Sequence, residues 1–345
     1  MSHPLAVAGN HNSDLSSKEH GFGDGQVRSA HPWVHRLAWL GILATLLLPF
    51  VSGGTVTSLD VGMAVPDWPT TFQQNMFTVS IPELRESGGV GAVVEHGHRL
   101  AGAAIGFFAM FLAAVCLLQK SLPKSWKWLS LAILALVIVQ GLIGGLRVLE
   151  NERAIAIFHA VGAQVVLIGF AAMAKLSSPA WTRSATHPES LEGFESGAVD
   201  RLRLWTGTAL AVLFVHLWAG AGLRHQQASL SGHLILAGVV TLVLMVVIHL
   251  GLTQFYRLPR LLKAIKALVS LLGLQLALGL ATWAFKHGPE SVQAGVGVHA
   301  PLATLHLVFG AGLVAVVAGL TLEAWIGPLA QKAQKEKSQA LGGTA

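Results

Sequence analysis

The sequence is poor in the residues that build disulfide-linked, zinc-binding or highly charged proteins. It has one cysteine, Cys116, which rules out an internal disulfide and any zinc or redox site that needs a Cys-x-x-Cys pair. Charged residues make up only 12% of the 345 residues, whereas hydrophobic residues make up 53% and the mean hydropathy is +0.60. This apolar content exceeds what a soluble core requires and predicts a membrane protein with several spans.

Eight apolar stretches are long enough to cross a hydrocarbon layer of about 30 Å as α-helices. They cover residues 34–57, 94–118, 127–146, 155–176, 204–222, 231–252, 264–285 and 300–325. The predicted fold class is therefore all-α, a polytopic membrane protein with eight transmembrane helices.

The basic residues alternate between the predicted loops. Of the 23 Lys and Arg residues, 17 fall on the side of the two termini. Because cytoplasmic loops carry the excess of positive charge, both termini are expected in the cytoplasm of a bacterial-type plasma (inner) membrane. The same alternation accounts for the formal charge of +6. The charge therefore indicates a lipid bilayer as the partner, and no nucleic acid is expected.

A long connection that contains Ser, Pro, Glu and Gly divides the eight helices into two sets of four. The polar N-terminal segment lacks an apolar core, so we expect a disordered tail and not a cleaved signal peptide. The predicted organisation is a disordered cytoplasmic tail at 1–31, an N-terminal four-helix half at 32–176, a cytoplasmic linker at 177–203, a C-terminal four-helix half at 204–326 and a cytoplasmic tail at 327–345.

The two halves repeat each other at a fixed offset. "VQGLIGGLRV" in the third helix contains Gln140 and Gly144, and "LQLALGLATW" in the seventh contains Gln275 and Gly279, each 135 residues further on. An even number of helices per repeat inserts both copies the same way up. The chain should therefore form two pseudo-symmetric, parallel four-helix bundles, each with one copy of a site.

Four histidines occupy matching places in this repeat. They begin the second, fourth, sixth and eighth helices, within about two turns of the outer ends, and are His98, His159, His233 and His306. Two imidazoles at equal depth on facing helices can bind opposite faces of one planar metal macrocycle, so the pattern predicts two bis-histidine haem sites. The alternatives are buried histidines that only satisfy neighbouring helices, and a mononuclear zinc or iron site, which lacks further ligands in the second half.

The two predicted sites are not equivalent. In "EHGHR", Glu95 and Arg99 share a helical face with His98, whereas the second half has leucines at the corresponding positions. A carboxylate near a membrane interface needs a partner, which Arg99 can supply, although a glutamate stabilised by the helix dipole is the simpler alternative. We expect Arg147, after the third helix, to lie at the outer mouth of this site and pair with a haem propionate. The acid predicts chemistry at the first site and electron transfer at the second.

These motifs resemble the haem A synthase family. The resemblance rests on "GGTVTSLDVGMAVPDWPTT" in the first outer loop, "EHGHR", "QGLIGGLRV" and the four histidines, and it runs from about residue 34 to 325. Members are eight-helix membrane enzymes that oxidise a methyl group of haem O to a formyl group, giving haem A for cytochrome oxidase. Some members carry a cysteine pair in the first outer loop, which this chain lacks.

The resemblance implies a role for each residue. His98 and His159 would ligate the iron of the substrate haem O, Glu95 would be the acid required for oxidation, and His233 and His306 would ligate the iron of a bound haem b cofactor. It also implies a haem O synthase and an unidentified electron-transfer protein as partners. The alternatives are a di-haem b membrane cytochrome that only carries electrons, for which Glu95 would be superfluous, and a transporter built from a parallel repeat.

Overall fold

The computed structural model describes residues 31–186, 194–287 and 297–342, and its regular structure is helical. In chain order the helices are α1 Pro32–Thr45, α2 Val51–Ser58, α3 Ile81–Leu118, α4 Lys124–Glu150, α5 Arg153–Leu176, α6 Pro179–Thr186, α7 Ser196–Arg224, α8 Leu230–Gln254, α9 Pro259–His287, α10 His299–Ile326 and α11 Pro328–Gly342. A π-helical turn, Leu46–Phe50, joins α1 to α2 into one span and contains Pro49. Within the described ranges, eight helices are long and apolar enough to cross a membrane. The all-α, eight-span prediction is confirmed.

The second span starts well before its predicted first residue. Ser80 caps α3, with its hydroxyl accepting from the Glu83 backbone N–H while the Glu83 side chain accepts from the Ser80 N–H. The helix then kinks at Gly88 and Gly89, where Gly89 has a φ of +67°. A glycine pair is a common cause of such kinks. The kink separates a polar first turn, which hydropathy assigns to the loop, from the apolar part of the span.

The predicted domain division stays a prediction, and the structure adds detail to it. The tail at residues 1–31 lies outside the described residues except for His31, as do residues 187–193 of the linker. The rest of the linker contains α6 and the first residues of α7, and α11 occupies most of the segment 327–345.

Each half closes into a ring of four spans packed in the same order. In the first half the α1–α2 span packs on α3, α3 on α4, α4 on α5, and α5 on α1. In the second half α7 packs on α8, α8 on α9, α9 on α10, and α10 on α7. The halves meet mainly where α5 and α2 contact α10. This arrangement is consistent with the predicted pseudo-symmetric parallel bundles.

An ion network joins the halves at the end of the bundle opposite the four histidines. The side chain of Glu323 on α10 is fully buried and lies 2.7 Å from Arg260 on α9 and 2.8 Å from Lys175 on α5. Since a lone buried charge is strongly destabilising, the two cations stabilise this carboxylate in its buried position. The contact therefore fixes α5 of the first half against two helices of the second.

The outer surface of the bundle is apolar. Large hydrophobic side chains that would be costly in water project outwards, among them Leu118, Trp128 and Ile235, which are 80%, 71% and 69% exposed. Hydrocarbon chains can cover such a surface without a free-energy cost, so the exterior matches a multi-pass membrane protein.

Candidate functional site

The four predicted histidines form two facing pairs. The imidazole centres of His98 on α3 and His159 on α5 are 6.1 Å apart, with the rings nearly perpendicular at 87°. In the second half the centres of His233 on α8 and His306 on α10 are 6.4 Å apart, at 71°. Within each pair the rings come from the second and fourth spans of one four-helix ring.

These separations fit two axial ligands of one metal macrocycle. A metal–imidazole bond of about 2 Å, plus about 1 Å from the nitrogen to the ring centre, puts two axial imidazoles roughly 6 Å apart centre to centre. Among the described residues, no group of three or more His, Cys, Asp or Glu side chains could hold a metal ion. The described residues therefore offer paired imidazoles, which suit a haem iron.

A glycine on the preceding span makes room for each imidazole. A Cβ atom placed on any of these glycines would stand within 2.8 to 3.3 Å of the ring, closer than ordinary contact between carbon atoms. The pairs are Gly53 with His98, Gly144 with His159, Gly220 with His233, and Gly279 with His306. The repeat therefore extends from the imidazoles to the backbone against which they pack.

In the first pair, polar side chains contact the Nδ1 atoms. Ser52 Oγ is 3.0 Å from Nδ1 of His98, and it also donates to the Leu48 carbonyl at 2.6 Å. Gln140 Nε2 is 2.9 Å from Nδ1 of His159 and donates to the carbonyl of the same residue at 2.5 Å. The predicted Gln–Gly repeat thus supports the imidazole directly.

The second pair is held differently. Nδ1 of His306 donates to the Gln275 carbonyl at 3.2 Å, and the Gln275 amide nitrogen is 3.2 Å from Nε2. Nδ1 of His233 is buried and has no hydrogen-bond partner within the described ranges. Instead the ring stacks on His216 of α7, with centres 4.4 Å apart and planes at 18°. The second pair therefore has a third imidazole beside it.

Glu95 and Arg99 form a buried ion pair that holds the first outer loop, residues 59–80. The Glu95 residue is only 3% exposed; its Oε1 lies 2.8 Å from Arg99, and its Oε2 accepts from the Val65 N–H at 3.0 Å. Arg99 also donates to the carbonyls of Val65, Asp67 and Thr70 at 2.6 to 3.0 Å. Glu95 and Arg99 are therefore paired with each other, as the sequence predicted, and both contact the loop.

The loop is further ordered by its own side chains. Asp67 accepts hydrogen bonds from the Thr70 hydroxyl and from the backbone N–H groups of Phe72 and Gln73. Burial raises the pKa of Asp67, but these hydrogen bonds outweigh it and hold the pKa below its ordinary value. Trp68 packs its ring against Gly145 of α4. The loop therefore lies against both α3 and α4 of the first half.

Arg147 reaches the same loop from α4. It donates to Met63 Sδ at 3.0 Å and to Asn151 Oδ1 at 3.1 Å. It lies one turn after Gly144, the glycine that packs on His159. Its position at the mouth of the first site and its pairing with a haem propionate stay predictions.

Sequence reasoning missed three contributors to the sites. His216 lies in an apolar run outside the repeated histidine positions, yet Gly220 one turn later is a signal that this face of α7 packs against His233. Ser52 precedes the glycine pair of "VSGG". A comparison of the first span with the fifth span could have found this serine. His96, buried against the Thr71 hydroxyl at 3.1 Å, has no such signal because its partner is in the loop.

The fold and the facing histidines define a multi-pass membrane protein with two candidate haem sites. Residues 36–233 match the COX15-CtaA family, described as cytochrome oxidase assembly protein, and since the match covers more than half of the sequence, the chain belongs to that family. A comparison with curated proteins found no match. The family is that of haem A synthase, so the predicted activity is confirmed: the protein is a haem-associated membrane oxidoreductase that converts haem O to haem A for cytochrome oxidase assembly.

Proposed function

We propose that the first half holds the substrate haem O between His98 and His159, and that the second half holds a haem b cofactor between His233 and His306. The observation that supports this most strongly is the matched separation of the two pairs, 6.1 and 6.4 Å between ring centres. The assignment of substrate to the first pair follows from Glu95, Arg99 and the loop, which have no equivalent beside the second. Leu230 and Leu234 stand at the positions of the second half that correspond to Glu95 and Arg99.

The haem irons, when bound, supply the redox chemistry for oxidising the methyl substituent, and the protein positions the groups around it. Glu95 is the proposed acid–base group of the first site. Its carboxylate has about four acceptor positions, of which Arg99 and the Val65 N–H use one on each oxygen. Each oxygen therefore keeps a free lone pair for a proton released during oxidation.

The outer loop contributes by covering this carboxylate. It lies over Glu95 through the Val65 N–H and is tied to Arg99 by three backbone carbonyls. Excluding water strengthens the electrostatic interactions of a buried carboxylate with the reacting group. Arg147, which contacts Met63 of the loop, is proposed to support the same site by pairing with a propionate group.

The test is haem analysis of membranes from cells that produce haem O and express the full-length protein. Glu95→Gln keeps the shape of the side chain but cannot hold negative charge, so we expect haem A to disappear while haem O accumulates. Glu86→Gln, an exposed carboxylate on the same helix, is the matched control and should make haem A normally. Normal haem A formation by Glu95→Gln would remove Glu95 from the mechanism. Bound haem with no conversion by the unaltered chain would favour the di-haem electron carrier.

The cofactor and the orientation are part of the proposal. We expect haem b in the purified protein to be lost with His306→Ala, and haem O to be lost with His98→Ala. The 17 basic residues on the side of the termini support cytoplasmic termini in a plasma membrane of the bacterial type. Tags at either end should then be accessible only from the cytoplasm. The histidine sites would face outwards and take haem O from a haem O synthase, with electrons passing to a separate redox protein.

A further inference from the structure

The two ligands that come from the second span of each half differ in what holds their Nδ1 atom. His98 has the hydroxyl of Ser52 at 3.0 Å, whereas Nδ1 of His233 has no partner among the described residues. The glycines that pack on these rings, Gly53 and Gly220, show which positions correspond. The residue before Gly53 is Ser52 and the residue before Gly220 is Ala219, so the hydroxyl exists in the first half only.

The direction of the Ser52 hydrogen bond follows from counting hydrogens. A serine hydroxyl has one hydrogen to donate and two lone pairs to accept with. The Leu48 carbonyl, 2.6 Å from Oγ, can only accept, so the hydroxyl hydrogen must point to it. Oγ can then only accept from Nδ1–H of His98, and the Pro49 backbone supplies a second acceptor for this ring. A neutral imidazole with its hydrogen on Nδ1 has its lone pair on Nε2, which is the form that binds a metal.

Local structure places this hydroxyl. The π-helical turn Leu46–Phe50 contains Pro49, which lacks an N–H, and such turns shift the register of the residues that follow. α2 therefore presents Ser52 and Gly53 together to His98. In the second half α7 is helical throughout from Ser196 to Arg224, and it presents Gly220 and the stacked ring of His216 to His233 instead.

We propose that Ser52 is a positioning residue of the substrate site, which fixes the Nδ1–H tautomer of His98, aims Nε2 at the haem iron and makes the imidazole a more basic ligand. This inference rests on the proposed function, in which His98 ligates haem O. His306 obtains the same tautomer from the Gln275 carbonyl, and His159 has the corresponding hydrogen bond to the Gln140 backbone. Among the described residues, His233 is therefore the ligand whose Nδ1 has no partner.

The test uses the full-length protein purified from cells that make haem O, with the haems extracted and quantified separately. Ser52→Ala should weaken haem O binding by about 10- to 100-fold, the usual effect of removing a partner of a metal-bound histidine, and leave haem b unchanged. Any haem O that remains should have a higher reduction potential, because a less basic ligand stabilises ferric iron less. Ser52→Thr keeps a hydroxyl and should restore both values. Ala is a good helix former, so α2 is not weakened by the first change.

If Ser52→Ala leaves haem O content and potential unchanged while His98→Ala loses haem O, the role of Ser52 is overturned and the proposed function stands. If His98→Ala also leaves haem O unchanged, the proposed function itself fails.

Discussion

The glycines that face the ligand rings give a test of the haem sites that requires no change of a polar residue. In Gly144→Ala the added Cβ would lie 2.8 Å from Cε1 of His159 and 3.3 Å from its Nδ1. Because carbon atoms prefer about 3.5 to 4.0 Å, the ring must move by up to about 1 Å or rotate away from the facing His98. Overpacking of this kind costs about 1–3 kcal/mol, which corresponds to a roughly 5- to 150-fold loss of haem affinity if the bound geometry bears the cost.

The assay is haem O content and visible spectrum of the purified variant, beside its thermal unfolding midpoint. Gly141→Ala on the same helix is the matched control, since nothing lies within 4 Å of its Cβ and its haem content should not change. Gly279→Ala in the second half, with 3.1 Å to His306, should have a milder effect, confined to haem b. Equal haem O content in Gly144→Ala and Gly141→Ala would refute the idea that the position of the His159 ring sets haem binding.

Two predictions concern stability. The pKa of Asp67 is lowered in the folded protein, so its contribution to the free energy of unfolding is present above about pH 4 and is lost as the pH falls through the lowered pKa. Thermal unfolding in detergent should show this acid sensitivity, and the Asp67→Asn variant should lack it. A variant that keeps the full sensitivity would contradict the assignment. Glu323→Gln leaves two cations without their buried anion and should destabilise by about 3–5 kcal/mol. Asp200→Asn, which removes a half-exposed ion pair with Arg203, should change the free energy of unfolding by less than about 1 kcal/mol. Similar losses of stability in the Glu323 and Asp200 variants would refute the role of burial.

The spans and the histidine pairs could be predicted because they depend on local pattern and on the repeat. Hydropathy identifies all eight spans, and the shared offset of 135 residues places His98 and His233 at equal depth before any contact is known. Which histidines face each other follows from the order of four helices in a ring. Hydropathy does not find the start of α3, since the segment before Gly88 is polar and the signal of its start is the Ser80–Glu83 capping box.

Contacts between distant segments are what the sequence leaves open. A buried carboxylate such as Glu323 requires a cation, so the sequence predicts that a Lys or Arg side chain lies beside it. No local pattern shows that these cations are Lys175 and Arg260. His216 shows the same limit: an imidazole within an apolar helix is read as satisfied by a neighbour, and only the packing of α7 on α8 reveals that the neighbour is His233.

The length of the loop beside Glu95 and Arg99 explains why the first half has this ion pair. Residues 59–80 separate α2 from α3, and their carbonyls and N–H groups have no helix of their own to pair with, so Arg99 and Glu95 satisfy four of them. The corresponding connection between α7 and α8 spans only residues 225–229 and has no comparable backbone to hold. Leucines at 230 and 234 are therefore sufficient there. A duplicated four-helix unit thus becomes asymmetric through one long loop, and the same charges that order the loop place an acid beside one histidine pair only.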